Sequence, residues 1–150
     1  MTSQTILLTG ATGFVGSHLL NYLVKKKYKV VILKRSTSDI SRIKKNIDLI
    51  NAYDIDKQKI EVAFQNHKID VVMHLATSYG RTQNYENLIQ SNIIFGIDLI
   101  ALSIKHEVEV FINTDTFFNN TSSTKSYLAD YTITKKHFLD WLCLKKDSIK

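Results

Sequence analysis

Tyr131 and Lys135 stand four residues apart in Tyr131-Thr132-Ile133-Thr134-Lys135, a spacing that on a helix sets a phenol and an ammonium one turn apart on the same face. A neighbouring cation favours the phenolate and brings a tyrosine toward useful acid/base strength. A second chemical stretch lies near the other end of the chain. There Thr9-Gly10-Ala11-Thr12-Gly13-Phe14-Val15-Gly16 joins the apolar run Ile6-Leu7-Leu8 to a helical pattern. Three glycines at this spacing leave room for a pyrophosphate against bare backbone, and the N–H groups and positive end of the helix attract its charge. Gly10, Thr12, Gly13, Phe14, Val15 and Gly16 are therefore a candidate dinucleotide site. Either pattern alone also describes something ordinary: a surface pair on an amphipathic helix, or a plain turn between strand and helix. Context separates the readings, because the glycines follow a strand, open a helix and precede a second apolar run at Val30 to Leu33.

Beyond that second run stands Lys34-Arg35-Ser36. An acidic residue at the end of the second strand binds the adenine ribose hydroxyls of NAD and repels a 2′-phosphate. Basic residues there predict NADP(H), with NAD as the alternative, and Arg35 is suited to a bidentate contact with the phosphate.

The elements that must position these residues follow from apolar periodicity. A first helix is predicted from about Phe14 to Lys26, with Val15, Leu19, Leu20, Leu23 and Val24 on one face. Lys29 to Leu33 reads as the second strand, Ser36 to Asn46 as a loop with a short helix, and Ile47 to Tyr53 as the third strand. Asp56 to Lys68 has helical spacing, and Val71 to Leu75 reads as a buried parallel strand. Leu88 to Ile104 is a long apolar helix, Val110 to Ile112 starts the fifth strand, and Tyr127 to Lys145 is the final helix. Alternating strands and helices with short connections predict an α/β fold, a doubly wound parallel sheet of order 3-2-1-4-5.

A chain of 150 residues, 44% hydrophobic, is expected to form one domain over 1–150. No stretch is read as approaching the apolar length of a membrane span, and the N-terminus reads as a strand rather than a signal peptide, so a soluble, cytoplasmic protein is expected. The single Cys143 and five scattered histidines predict no metal site. The net charge of +6 is carried largely by lysines at helix ends. Without a basic stripe on a docking module, nucleic acid is not an expected partner.

The Thr-Gly-x-x-Gly-x-x-Gly form resembles the short-chain dehydrogenases/reductases, and Gly10 to Gly16 is similar to their extended, nucleotide-sugar-modifying branch, the NAD-dependent epimerase/dehydratase family. That resemblance implies a Rossmann fold and a catalytic Tyr-x-x-x-Lys on the helix after the fifth strand, where Tyr131 and Lys135 fall. It implies a catalytic hydroxyl in Asn113-Thr114-Asp115-Thr116; alignment from the strand gives Thr116, alignment from Phe117-Phe118-Asn119 gives Thr114, and Thr116 is preferred. His74-Leu75-Ala76-Thr77 resembles the segment whose backbone lies along the cofactor. Asp54-Ile55 matches the pair that meets the adenine. Asn92 matches an asparagine that orders the long helix against the active site, although the glycine expected three residues later is Phe95, with Gly96 one place further on. The segments His74 to Gly80, Asn113 to Phe118 and Tyr131 to Phe138 are most similar to CDP-abequose synthases, which implies reduction of a 4-keto sugar nucleotide. Epimerisation, dehydration, or a cofactor-binding module without activity are the alternatives. Family members carry a further C-terminal lobe for the nucleotide-sugar that is not recognised in these residues. They also pair through the two long helices, which implies a homodimer here.

Overall fold

The computed structural model describes residues 4–80, 84–120 and 128–150. Five strands, β1 (Thr5–Thr9), β2 (Lys29–Lys34), β3 (Asn51–Asp54), β4 (Val71–His74) and β5 (Val110–Asn113), form one sheet of order β3-β2-β1-β4-β5. Every neighbouring pair is parallel. This is the expected order, and its reversal of direction lies between β1 and β4, the place where such sheets open a crevice for ligands.

Side chains alternate between the two faces of each strand, and both faces are covered, which is why β1 and β2 read as continuous apolar runs. On one face Ile6, Leu8, Val30 and Ile32 pack with Leu20 and Leu23 of α1 (Phe14–Lys25) and with Ile43. On the other, Leu7, Val31, Leu33 and Val72 pack with Phe64 of α2 (Glu61–Asn66) and with Leu99. The register pairs Thr9 with both Leu33 and His74, Lys34 with Asp54, and His74 with Asn113. All five strands therefore deliver their last residues to one edge.

Two expected elements are corrected. The third strand is Asn51–Asp54 rather than Ile47 to Tyr53, because the preceding residues form a 3-10 helix, Ser41–Leu49. Ile43 and Ile47, four apart, turn inward together onto the α1 side of the sheet. The second helix is shorter than Asp56 to Lys68, since the chain first turns at Asp54, whose carbonyl accepts from Lys57 and Gln58 N–H.

The long helix runs through α3 (Tyr85–Ile89), a π-helical stretch (Gln90–Ile94) and α4 (Phe95–Lys105). At 21 residues with hydropathy 1.5 it does have the length and apolar content of a membrane span, which corrects the reading that no stretch approaches one. Here it packs on the domain, with Leu88, Asn92, Leu99, Ile100 and Ser103 buried. The last helix, α5, is Ala129–Leu144; the expected start at Tyr127 lies outside the described residues.

Candidate functional site

The glycine turn is shaped by contacts that no side chain could replace. Gly10 has φ +69°, and a Cβ there would stand 2.8 Å from Ala76 N. A Cβ on Gly16 would stand 2.1 Å from Gly10 O, so the first turn of α1 lies directly on the strand exit. Gly13 N–H closes the turn by donating to Gly10 O at 3.0 Å. Gly13 is also the N-cap and offers no side-chain acceptor to the first turn of α1, which leaves those N–H groups directed outward.

Thr9 ties this turn to the segment after β4. Its hydroxyl oxygen accepts from Leu75 N–H at 3.1 Å and Ala76 N–H at 3.0 Å, and lies 2.8 Å from His74 Nδ1. Having accepted twice, the hydroxyl has its proton to give to Nδ1, which keeps the imidazole neutral with its hydrogen on Nε2. Burial, and then the Lys135 charge, pull the His74 pKa down from 6.5 to about 3. His74 is thus a neutral core group among Phe95, Phe111 and Phe138.

At the other end of the same edge, α5 places Tyr131 and Lys135 one turn apart, both buried. Lys135 Nζ donates to Thr114 O at 2.5 Å. Tyr131 is hydrogen-bonded to the Thr116 hydroxyl. The chain's own groups do not by themselves lower the phenol. Burial raises the Tyr131 pKa above its ordinary value, the Thr116 bond opposes that rise, and the nearby Tyr79 and Asp115 add to it. Burial lowers Lys135, with Asp115 opposing. Desolvation is the largest cause of the shift in both groups.

A cavity of about 1410 Å³ connects the two ends and is lined by Gly10, Thr12, Gly13, Phe14, Val15, Gly16, Lys34, Arg35, Ile55, Leu75, Ala76, Thr77, Tyr131 and Lys135. Four expected site residues do not line it. Asp54 is turned aside by an ion pair with Lys34 at 2.5 Å. Ser36 donates its N–H and hydroxyl to Asp56 at 2.8 and 2.6 Å. Thr116 is hydrogen-bonded to Tyr131 and does not line the cavity, while Thr114 lines the wall, so the two candidate threonines divide between the phenol and the cavity.

Asn92 lies beneath the site, where its amide is fully used. Its Oδ1 accepts from Ser78 N–H at 2.7 Å and from the Thr77 hydroxyl at 3.3 Å, and its Nδ2 donates to Ser78 O at 2.8 Å and Thr134 Oγ1 at 3.0 Å. Tyr79, Asp115 and Asp56 also line the cavity. Sequence reasoning passed over them as site residues, although Tyr79 and Asp115 lie inside the stretches it singled out.

The cradle fits a dinucleotide: three close backbone approaches, outward N–H groups, and a groove that runs from there to a buried Tyr/Lys pair. Residues 6–145 match the NAD dependent epimerase/dehydratase family. CDP-abequose synthase of Salmonella muenchen is 32% identical over 139 residues, 92% of this chain and 46% of that protein. Among solved structures, UDP-glucose 4-epimerase of Thermotoga maritima with UDP-glucose gives a TM-score of 0.78 at 26% identity, covering 94% of this chain and 50% of that one. UDP-glucuronic acid 4-epimerase of Bacillus cereus in complex with NAD gives 0.71 at 26% identity, covering 94% and 52%. The chain spans about half the length of the curated relatives it matches. On the match across residues 6–145, the Rossmann sheet order and the glycine turn, the chain belongs to the NAD dependent epimerase/dehydratase family.

Proposed function

We propose that residues 1–150 form a single NAD(P)-binding domain of a nucleotide-sugar-modifying oxidoreductase, and that its reaction is reduction of a 4-keto sugar nucleotide. The observation that carries the reading is that Tyr131 and Lys135 line the same cavity as Gly10, Gly13 and Gly16. The identity to CDP-abequose synthase supports the choice of reductase.

In this reading a nicotinamide cofactor supplies hydride chemistry at the sugar C4. The chain's own residues do the rest. Backbone N–H groups of the glycine turn and the start of α1 hold the pyrophosphate, Phe14 and Val15 cover it, and Leu75, Ala76 and Thr77 flank the groove toward the nicotinamide end. Ile55 meets the adenine. Tyr131 gives its proton to the C4 oxygen, which Thr116 helps to orient through the shared hydrogen bond. Burial keeps the phenol protonated until a carbonyl reaches it. Lys135 holds the Thr114 carbonyl and supplies positive charge beside the phenolate that forms.

The cofactor is NADP(H), with Arg35 as its 2′-phosphate anchor. Arg35 is exposed at the cavity wall, whereas Lys34 and Ser36 are engaged with Asp54 and Asp56. Asp56, a carboxylate on the cavity wall, favours NAD as the second reading, since it suits ribose hydroxyls. Epimerisation or dehydration is the second reading of the reaction, favoured by Asp115, a further carboxylate on the cavity wall. A cofactor-binding module without turnover is the third.

The proposal includes a homodimer through α3–α4 and α5. Ile89, Ile94, Ile133, Trp141 and Leu144 are exposed on these helices, and Ile97, Ile100, Ile104 and Trp141 bound an apolar hollow of about 180 Å³. A cytoplasmic location is part of the same reading. Calorimetric titration of NADPH and NADH into the chain tests its foundation: saturable binding that Gly16→Val abolishes is expected, and absence of binding by the folded chain removes the reading.

A further inference from the structure

We infer that Tyr79 is a positioning residue for Tyr131: its ring, stacked on the phenol and held by the Asn92 clamp, fixes the phenol's plane and keeps water from that face. The inference rests on the reading of Tyr131 as proton donor. The two ring centroids are 4.8 Å apart with an interplanar angle of 29°, within the range in which aromatic pairs gain energy beyond simple burial.

Tyr79 lies on the segment between β4 and α3, where a long connection would ordinarily wander. Here it is fixed on both sides. Asn92 grips Ser78 by both its N–H and its carbonyl. Gly80 turns the chain at φ +68°, with Leu88 packed beneath it. The same Asn92 amide donates to Thr134 Oγ1, whose hydroxyl donates to Tyr131 O at 2.8 Å. One buried side chain therefore sets the distance between the backbone that carries Tyr79 and the backbone that carries Tyr131. Asn92 lies buried within the π-helical stretch Gln90–Ile94, a winding frequent at functional sites.

The consequence is chemical. A phenol on a helix has two rotatable bonds, and proton transfer needs its hydroxyl within hydrogen-bond reach of the acceptor. Tyr79, itself 51% exposed, covers Tyr131, which is only 7% exposed. The raised Tyr131 pKa, caused first by burial, agrees with an apolar cover. Among the described residues, Thr116 and Asp115 from the segment after β5 also act on the phenol.

The test uses the 150-residue chain with tyrosine labelled in the ring, the Tyr131 signal being identified by its loss in Tyr131→Phe. Wild type, Tyr79→Phe and Tyr79→Ala are compared for Tyr131 ring shifts at neutral pH and for its titration midpoint. Tyr79→Phe should keep the ring-current shift, since it keeps the ring, and should lower the midpoint only by the part of the rise that the Tyr79 hydroxyl contributes. Tyr79→Ala should lose the ring-current shift and move the midpoint down toward the ordinary tyrosine value, about 10. Should Tyr79→Ala fail to fold, Tyr79→Leu, which fills space without a stacking ring, takes its place with the same expectation. Unchanged Tyr131 signals in the variant lacking the ring overturn the inference, as does a Phe variant that shifts as far as the Ala variant. No cofactor or turnover enters these readings, so failure of the reductase proposal, seen in the NADPH titration, is distinguishable from failure of this one.

Discussion

Gly96 of α4 lies directly under the Phe138 ring of α5: a Cβ at Gly96 would stand 2.3 Å from Phe138 Cε2. Asn92 and Thr134, four residues earlier on each helix, are hydrogen-bonded at 3.0 Å. The two contacts share one register and set how closely the helix carrying Tyr131 approaches the long helix.

Gly96→Ala should therefore destabilise the chain by about 1–3 kcal/mol through overpacking. Phe138→Leu should relieve much of that cost in the double variant, because a smaller side chain leaves room for the added methyl. Urea unfolding of the four proteins in the cycle checks it, and additive effects would contradict the contact.

Acid should destabilise the fold through His74. Its folded pKa of about 3 lies below the ordinary 6.5, so its contribution is fully present above about 6.5 and is lost as pH falls toward 3, where the unfolded chain binds a proton that the folded chain refuses. The slope should approach about 1.4 kcal/mol per pH unit in that window. His74→Asn, whose Oδ1 can still accept from Thr9, should flatten it. Unfolding free energies of both proteins across the window provide the measurement.

Arg35→Ala should weaken NADPH binding by about ten- to a hundredfold, the worth of a charge-assisted hydrogen bond, and leave NADH binding nearly unchanged. Calorimetry with both cofactors decides it. Equal affinities untouched by the substitution would instead favour the carboxylate of Asp56 as a ribose partner.

Light scattering should return a dimer mass, and Trp141→Glu on α5 should return a monomer with unchanged circular dichroism. A monomer at high concentration in wild type would contradict the proposed pairing of α3–α4 and α5.

The 150-residue polypeptide should bind NADPH yet show only background reduction of 4-keto sugar nucleotides, no faster than Tyr131→Phe. Near-attack positioning of C4 draws on binding energy from the remote nucleotide, and the chain spans about half of its relatives. Turnover that Tyr131→Phe abolishes would show that these residues suffice for the chemistry.

The sheet order and the glycine turn were legible in the residues because they depend on local signals: unbroken apolar runs for strands covered on both faces, and glycines where a Cβ has no room. Ile47 to Ile50 misled because a short apolar run suits a strand or a tight helix equally, and only the sheet's far face shows that Ile43 and Ile47 work as a pair. The π-helical winding of Gln90–Ile94 was also illegible, because nothing in hydropathy announces it. Likewise, the engagement of Ser36 by Asp56 and of Lys34 by Asp54 joins residues twenty apart. Residue types foretell such charges but not their pairing.

The placement of β1 has a consequence for the chain as it is made. This strand comes first in sequence yet lies in the middle of the sheet, paired to β2 on one edge and to β4, which begins only at Val71, on the other. On the ribosome β2 can join it early, but the β4 edge stays open for on the order of seconds at ordinary synthesis rates. During that interval Ile6, Leu7 and Leu8 present an apolar strand with unpaired backbone, the kind of edge on which other chains add. A strand paired on both edges in the finished protein is thus open on one edge in the nascent chain, and holding that edge shut until residue 74 emerges is the step at which a chaperone would have most to contribute.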